Sequence, residues 1–224
     1  MLNTTIHKKE MIKLFLDILS NRNLSTTLGF KGGTALYLFY DLDRFSTDLD
    51  FNMIDEDFST DEMTLEIEKS LKIEEYKNKR YTHFWLCSYS KGQHKIKVEV
   101  NKRKYPDRYD VKDFRGYSCK VLSQECMFAH KLCAITDRKV LQNRDLYDAW
   151  FMFSKNFEIE EEIIKLRTGE SIGEYSKGIV KLIDKLPGNY NIRNGLGSVL
   201  DQGKRDWVKR SLLEELKKYL VALE

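Results

Sequence analysis

The stretch GFKGGTALYLFYDLDRFSTDLDFNMI, residues 29 to 54, constrains this chain more than any other part of it. Leu49, Phe51 and Met53 alternate with Asp48, Asp50 and Asn52, the two-residue period of a half-buried strand. On a strand, side chains i and i+2 project from one face, so Asp48 and Asp50 point together while the apolar residues face a core. Two carboxylates that close repel each other, and a divalent cation or a basic partner relieves the repulsion. Upstream, Gly32-Gly33 lets the backbone turn tightly into a predicted helix, ALYLFY, whose free N–H groups can meet a phosphate. Thr34 adds a hydroxyl at the same turn. No GxxxxGK[ST] pattern occurs, so this is not a Walker A loop.

A second strand supplies a third acid. THFWLCSYS (82 to 90) and HKIKVEVNK (94 to 102) flank Lys91-Gly92-Gln93 and read as a hairpin. In the second of these, Lys97 and Glu99 share one face, and Val98 and Val100 the other. If the strands are neighbours, Asp48, Asp50 and Glu99 present three carboxylates, an oxygen set that suits magnesium with its waters and substrate phosphates. Two ions so held activate an attacking hydroxyl and stabilise the departing oxygen in phosphoryl transfer.

The remainder organises around this stretch. The N-terminus, MLNTTIHKKEMIKLFLDIL, reads as a helix, with apolar positions Ile6, Met11, Ile12, Phe15, Leu16 and Leu19. Leu28 to Phe30 form a short apolar piece that runs into Lys31-Gly32-Gly33-Thr34. An acidic helix is expected from Ser59 or Thr60 to about Glu75, opened by the capping-box spacing of Ser59 and Glu62. After a polar connector containing Pro106 the pattern is helical, over 123–138, 143–154, 158–167, 174–186 and 205–222. The expectation is a small mixed sheet in residues 1–118 and a helical region in residues 119–224, an α/β (α+β) arrangement.

Composition excludes several classes. The 224 residues, 42% of them apolar, suffice for a real core. No apolar run approaches the roughly 18 to 20 residues that span a bilayer. The N-terminal segment lacks the apolar core and small-residue cleavage site of a signal peptide. Four cysteines, Cys87, Cys119, Cys126 and Cys133, form no CxxC pair and read as buried thiols, not a zinc site. A cytoplasmic protein with no membrane association is expected. The net charge of +3 carries no argument for a nucleic-acid partner. Residues 95 to 115 hold eight Lys or Arg against four acids, which on charge alone reads as a solvated face. The histidines at 7, 83, 94 and 130 have no ligand spacing and receive no role.

Taken together, GGTAL…RFSTDLDF resembles the signature of the AbiEii/AbiGii-type nucleotidyltransferase toxins, within the DNA polymerase beta-like nucleotidyltransferase superfamily. The matching residues are Gly32, Gly33, Thr34, Arg44, Ser46, Asp48, Asp50 and Phe51. The family's second motif, a lysine two residues before an acid on a strand, matches Lys97 and Glu99. Its third, a helical lysine followed by Arg-Asp and a second aspartate, matches Lys131 with Arg144, Asp145 and Asp148. The likeness covers about residues 28 to 150, and no motif maps onto the last 70.

The resemblance implies a nucleotidyltransferase fold with a helical C-terminal part. It implies Mg2+-dependent transfer of a nucleotide from an NTP to a hydroxyl, with an RNA such as the tRNA 3' end as acceptor and a separately encoded antitoxin as partner. The alternative is a nucleotide-binding interaction module without transfer. By the resemblance, Asp48 and Asp50 hold the metals, and Glu99 completes the site and orients or deprotonates the acceptor hydroxyl. Gly32, Gly33 and Thr34 meet the triphosphate, and Lys131 neutralises its charge. Lys97 is open between phosphate and solvent. Asp145 and Asp148 orient Lys131 or the base, or pair with Arg138 and Arg144. Arg44 and Ser46 shape the loop or lie beside phosphate.

Overall fold

The structure, a computed structural model, describes residues 3–223. Met1 and Leu2, which the expected N-terminal helix included, and Glu224 lie outside them. The chain divides into two units: residues up to Asp41 with Phe45–Ser123, and Leu42–Arg44 with the residues from Gln124 onward.

The first unit opens with α1 (Thr4–Ser20) and α2 (Arg22–Thr27). Asparagines punctuate both helices: Asn3 accepts from the Ile6 N–H, and Asn21 ends α1 and accepts from the Leu24 N–H, both at 3.1 Å. Then follow β1 (Leu28–Lys31), α3 (Gly32–Phe39), β2 (Leu49–Met53), α4 (Thr60–Glu68) and β3 (Lys72–Lys79). The unit closes with β4 (Thr82–Ser88), β5 (Ile96–Asn101), β6 (Tyr109–Phe114) and β7 (Tyr117–Leu122). The seven strands form one mixed sheet, β3-β4-β5-β2-β1-β7-β6, with β2/β5 and β1/β7 parallel and the other pairs antiparallel.

The alternation expected of β2 sorts the sheet into two faces. Leu49, Phe51, Val98, Val100 and Trp85 are buried on one face, where Phe51 sits in register with Phe30 and Val100. Phe15 of α1 covers this face, its ring centroid 4.3 Å from that of Phe30. The opposite face carries Lys31, Asp50 and Glu99 in one row across β1, β2 and β5.

Five elements differ from expectation. α4 stops at Glu68, and the acidic segment continues into the edge strand β3. No residue of this edge strand is fully buried, so β3 lacks the apolar alternation that reveals a strand. The polar connector after Pro106 contains the hairpin β6–β7, turned by Arg115 at φ 54° and Gly116 at φ 89°. A primed hairpin turn needs positive φ at both central residues, and Arg in the first place gives no Asn-Gly or Asp-Gly signal. The expected boundary near 118 falls inside β7, and α2 went unread.

The second unit consists of α5 (Gln124–Asp137), α6 (Asn143–Ser154), α7 (Glu161–Thr168), α8 (Ile172–Asp184) and α9 (Gln202–Val221), close to the five expected helices. A capping box between Ser171 and Glu174 opens α8. Phe128, Phe153, Tyr147, Leu212 and Leu216 are buried here, and the Trp150 and Trp207 rings pack tilted with their centroids 4.1 Å apart.

Candidate active site

Chain geometry first fixes where the carboxylates go. β1 runs into α3 through Gly32, whose φ of 80° strains any L residue with a side chain. A Cβ at this position would also fall against the Asp50 carboxylate and within 3.0 Å of Asp50 Cβ and Cγ. Gly32 is therefore required twice, by its turn and by the close approach of Asp50. In parallel register, Asp50 pairs with Glu99, and in the antiparallel pair it faces Lys31. Asp48 enters β2 from the preceding loop, with Lys97 Nζ 3.8 Å from its Oδ2. The Asp48 side chain is 20% exposed and that of Lys97 47%, and Asp50 and Glu99 are also half-buried, so a ligand from solvent can reach all four.

The residues behind this row hold the Asp48 loop. Thr34 is completely buried; its hydroxyl donates to the Asp48 carbonyl and lies 2.9 Å from Ser46 Oγ. Gly33 and Ser46 are buried as well. Thr34 and Ser46 thus pin the loop to the first turn of α3, a support role at the backbone of Asp48. His7 of α1, also fully buried, has Nε2 2.9 Å from the Thr47 carbonyl and Nδ1 3.3 Å from the Tyr89 hydroxyl. Burial pushes its imidazole below the ordinary value, against the raising effect of the Thr47 carbonyl. The neutral Nε2–H tautomer therefore donates to Thr47, the residue next to Asp48. Sequence reading gave His7 no role, although His7, Met11, Leu14 and Ile18 form one helical stripe, which is the signal that could have found it.

The second unit gathers the third motif. Arg44 is bound bidentately by Asp148, Nε to Oδ1 at 2.6 Å and Nη2 to Oδ2 at 2.7 Å, and both side chains are buried. Lys131 Nζ lies 2.6 Å from Asp148 Oδ2 and 3.7 Å from Asp145 Oδ1, and Arg138 approaches Asp145 Oδ2 at 3.0 Å. Burial pushes the Asp148 carboxyl up, but the Arg44 and Lys131 charges outweigh it and hold Asp148 below the usual carboxylate range. Asp145 Oδ2, although buried and near Arg138, makes no hydrogen bond among the described residues. Next to Arg44, Asp43 accepts from the Tyr147 hydroxyl at 2.7 Å and pairs with Lys204. Tyr147, Asp43 and Lys204 were not singled out by sequence; their partners lie far apart in the chain, and no local spacing announces them. Among the described residues Asp145 pairs with Lys131 and Arg138, and Asp148 with Arg44 and Lys131, while Arg144 pairs with neither carboxylate.

Does the carboxylate row fit magnesium? Among the described residues no group of three or more His, Cys, Asp or Glu is arranged to hold a metal ion. Magnesium rarely uses an all-protein cage; it takes one or two carboxylates, keeps waters and accepts substrate phosphates. Asp48 and Asp50, hard oxygen donors within reach of solvent beside the α3 N-terminus, fit that kind of site. All four cysteines are buried, as expected, none is in a disulfide, and among the described residues they supply no soft ligand set. No helix among the described residues is long and apolar enough to cross a membrane.

Comparison with known proteins bears on the family and the fold. A family model described as nucleotidyl transferase AbiEii toxin, type IV TA system, matches residues 14–209. Among solved structures, JHP933 from Helicobacter pylori is similar at a TM-score of 0.60 and 22% identity, over 98% of this chain and 95% of that one. A candidate nucleotidyltransferase from H. pylori is similar at a TM-score of 0.56 and 23% identity, over 99% of this chain and 97% of that one. At these identities the two structures speak for the fold alone. Among curated proteins no significant match was found.

Proposed function

The chain belongs to the AbiEii nucleotidyl transferase toxin family of type IV toxin–antitoxin systems, and from that premise we propose that it moves a nucleoside monophosphate from an NTP to a hydroxyl of RNA, at the tRNA 3' end, with magnesium. The observation that carries this reading is the pairing of Asp50 with Glu99 across β2 and β5, with Asp48 in the loop that enters β2, all three half-buried beside a glycine turn and a helix N-terminus. Asp48 and Asp50 would hold the ion, and Glu99 beside Asp50 would complete their acidic set. When bound, magnesium would supply positive charge to the triphosphate and to the departing pyrophosphate. The α3 N-terminus at Gly32 and Gly33 orients the phosphates through backbone N–H groups. Glu99 accepts the proton of the acceptor hydroxyl. The acceptor oxygen then bonds to the α-phosphorus as the bond to the bridging oxygen breaks, and pyrophosphate leaves with that electron pair. Lys97, 3.8 Å from Asp48, offsets the negative charge of the row when no substrate is present. Lys131, paired with Asp148, offers a cation to phosphate, and Asp145 orients it. Membership in a toxin–antitoxin family supports a separately encoded antitoxin as protein partner, and the protein acts in the cytoplasm, where NTP and tRNA meet.

The test is incubation with each α-labelled NTP, magnesium and total small RNA, followed by separation of protein and RNA on one denaturing gel. Label on RNA is expected, and it should vanish with EDTA or in the Asp48→Ala/Asp50→Ala variant. Magnesium-dependent nucleotide binding without label on any acceptor would overturn transfer in favour of a nucleotide-binding module.

A further inference from the structure

A cluster of cations and rings lies on the first unit, outside the carboxylate row and continuous with it. Residues 76–84 and 100–106 contain no Asp or Glu and carry Lys77, Lys79, Arg80, Lys102, Arg103 and Lys104. The sheet joins these two segments: the Lys102 N–H donates to the Tyr81 carbonyl at 2.9 Å, and Lys102 Nζ fixes the β3–β4 turn through the Lys79 carbonyl at 2.9 Å. With Lys102 so used, the outward cations stack on rings. Arg80 and Arg103 lie over the Tyr81 ring at 4.9 and 4.3 Å, and Lys79 Nζ lies over the Phe84 ring at 4.8 Å. Tyr81 is 40% exposed, and Lys79, Arg80 and Arg103 are exposed. Among the described residues none of these three cations has a carboxylate partner, whereas Lys77 pairs with Glu75 at 2.6 Å.

Register gives the cluster its direction. Lys77 pairs with Phe84, Phe84 with Glu99, and Glu99 with Asp50, so one row crosses four strands on the carboxylate face. The next row runs Lys79, Thr82, Asn101, Asn52. Neighbouring strands are about 4.8 Å apart, so Phe84 stands one strand from Glu99, and Lys79 sits on the edge strand beyond it. Unpaired guanidinium and ammonium groups beside aromatic rings are what a single nucleic-acid strand uses, charge for phosphate and ring for base. A protein partner would need a desolvated apolar centre, which this patch lacks.

We propose that the β3–β4 turn, with Arg103 after β5, docks the single-stranded 3' end of the acceptor RNA, the terminal base stacking on Phe84 and its hydroxyl reaching Glu99. This rests on the transfer reading for its direction, but the docking itself can be measured without transfer. The probe is a fluorescent RNA hairpin with a single-stranded 3' overhang, compared with the blunt hairpin, followed by anisotropy in the absence of NTP. Removing three phosphate-facing cations should weaken binding roughly tenfold or more and make the slope of log K on log salt shallower by about 2. The variant is Lys79→Ala/Arg80→Ala/Arg103→Ala. A control triple, Lys181→Ala/Lys209→Ala/Arg210→Ala, removes equal charge from exposed positions of α8 and α9 and should bind like wild type. Phe84→Leu should abolish the preference for the overhang and Phe84→Trp should keep it, with thermal unfolding checking that each variant is folded. Equal binding by wild type and the first triple variant, no preference for the overhang, or no RNA binding at all overturns the proposal. Binding lost in the first triple variant while no NTP is ever transferred would instead support the docking surface and sink the transfer reading.

Discussion

At the scale of single residues, the support of Asp48 separates into chemistry and scaffold. Thr34 carries the family motif but spends its hydroxyl on the Asp48 carbonyl and Ser46. Thr34→Val keeps the volume and removes the donor, leaving a buried carbonyl and a buried hydroxyl short of a partner. The expected cost is about 1–3 kcal/mol of stability, from urea titration, with a fall in kcat that exceeds any change in KM for NTP. Thr34→Ser should restore both. A Thr34→Val enzyme of wild-type stability and kcat would show that the loop is held elsewhere. Gly32 was legible in sequence because a turn before a helix needs it. Its second reason, contact with Asp50, was not legible, since it depends on β2 returning alongside β1.

At the scale of elements, legibility followed coverage. α1, α3, β2, β4 and β5 each bury one face or one stripe, so period 2 or 3.6 survives in the sequence. β3 and β6 lie at the two edges of the sheet, and no residue of either is fully buried, so their residues carry little period to read. The β6–β7 turn adds its own concealment, with Arg115 at φ 54° where Asn or Asp is usual. A left-handed conformation is less costly for Asn than for a long side chain. Arg115→Asn should therefore stabilise the protein by about 0.5 kcal/mol in chemical denaturation. An unchanged or lower midpoint would show that Arg115 makes a compensating contact, such as its approach to the Phe114 ring at 5.7 Å.

At the scale of the whole molecule, four thiols lie buried among the described residues and none is in a disulfide. Burial pushes Cys87 and Cys119 up to about 12, and Cys133 up to about 11, so little thiolate exists near neutral pH. Native protein should react with Ellman's reagent only as fast as it unfolds, and all four thiols should react at once in guanidinium. Rapid native labelling of any of them would mean that its core opens locally. What the sequence determined by itself was the local grammar: the strand that aims Asp48 and Asp50 together, the glycine turn, the helical second half, and the motifs that mark the family. These depend on neighbours a few residues apart, and the chain states them directly. Tertiary structure alone decided which strand lies beside which. It set Glu99 against Asp50, joined Lys79 and Arg80 to Arg103 around two rings, and paired Arg44 with Asp148 across 104 residues. The physical reason is that register and buried charge pairing come from closing long loops around a core, and that closure leaves no period in the residues it brings together.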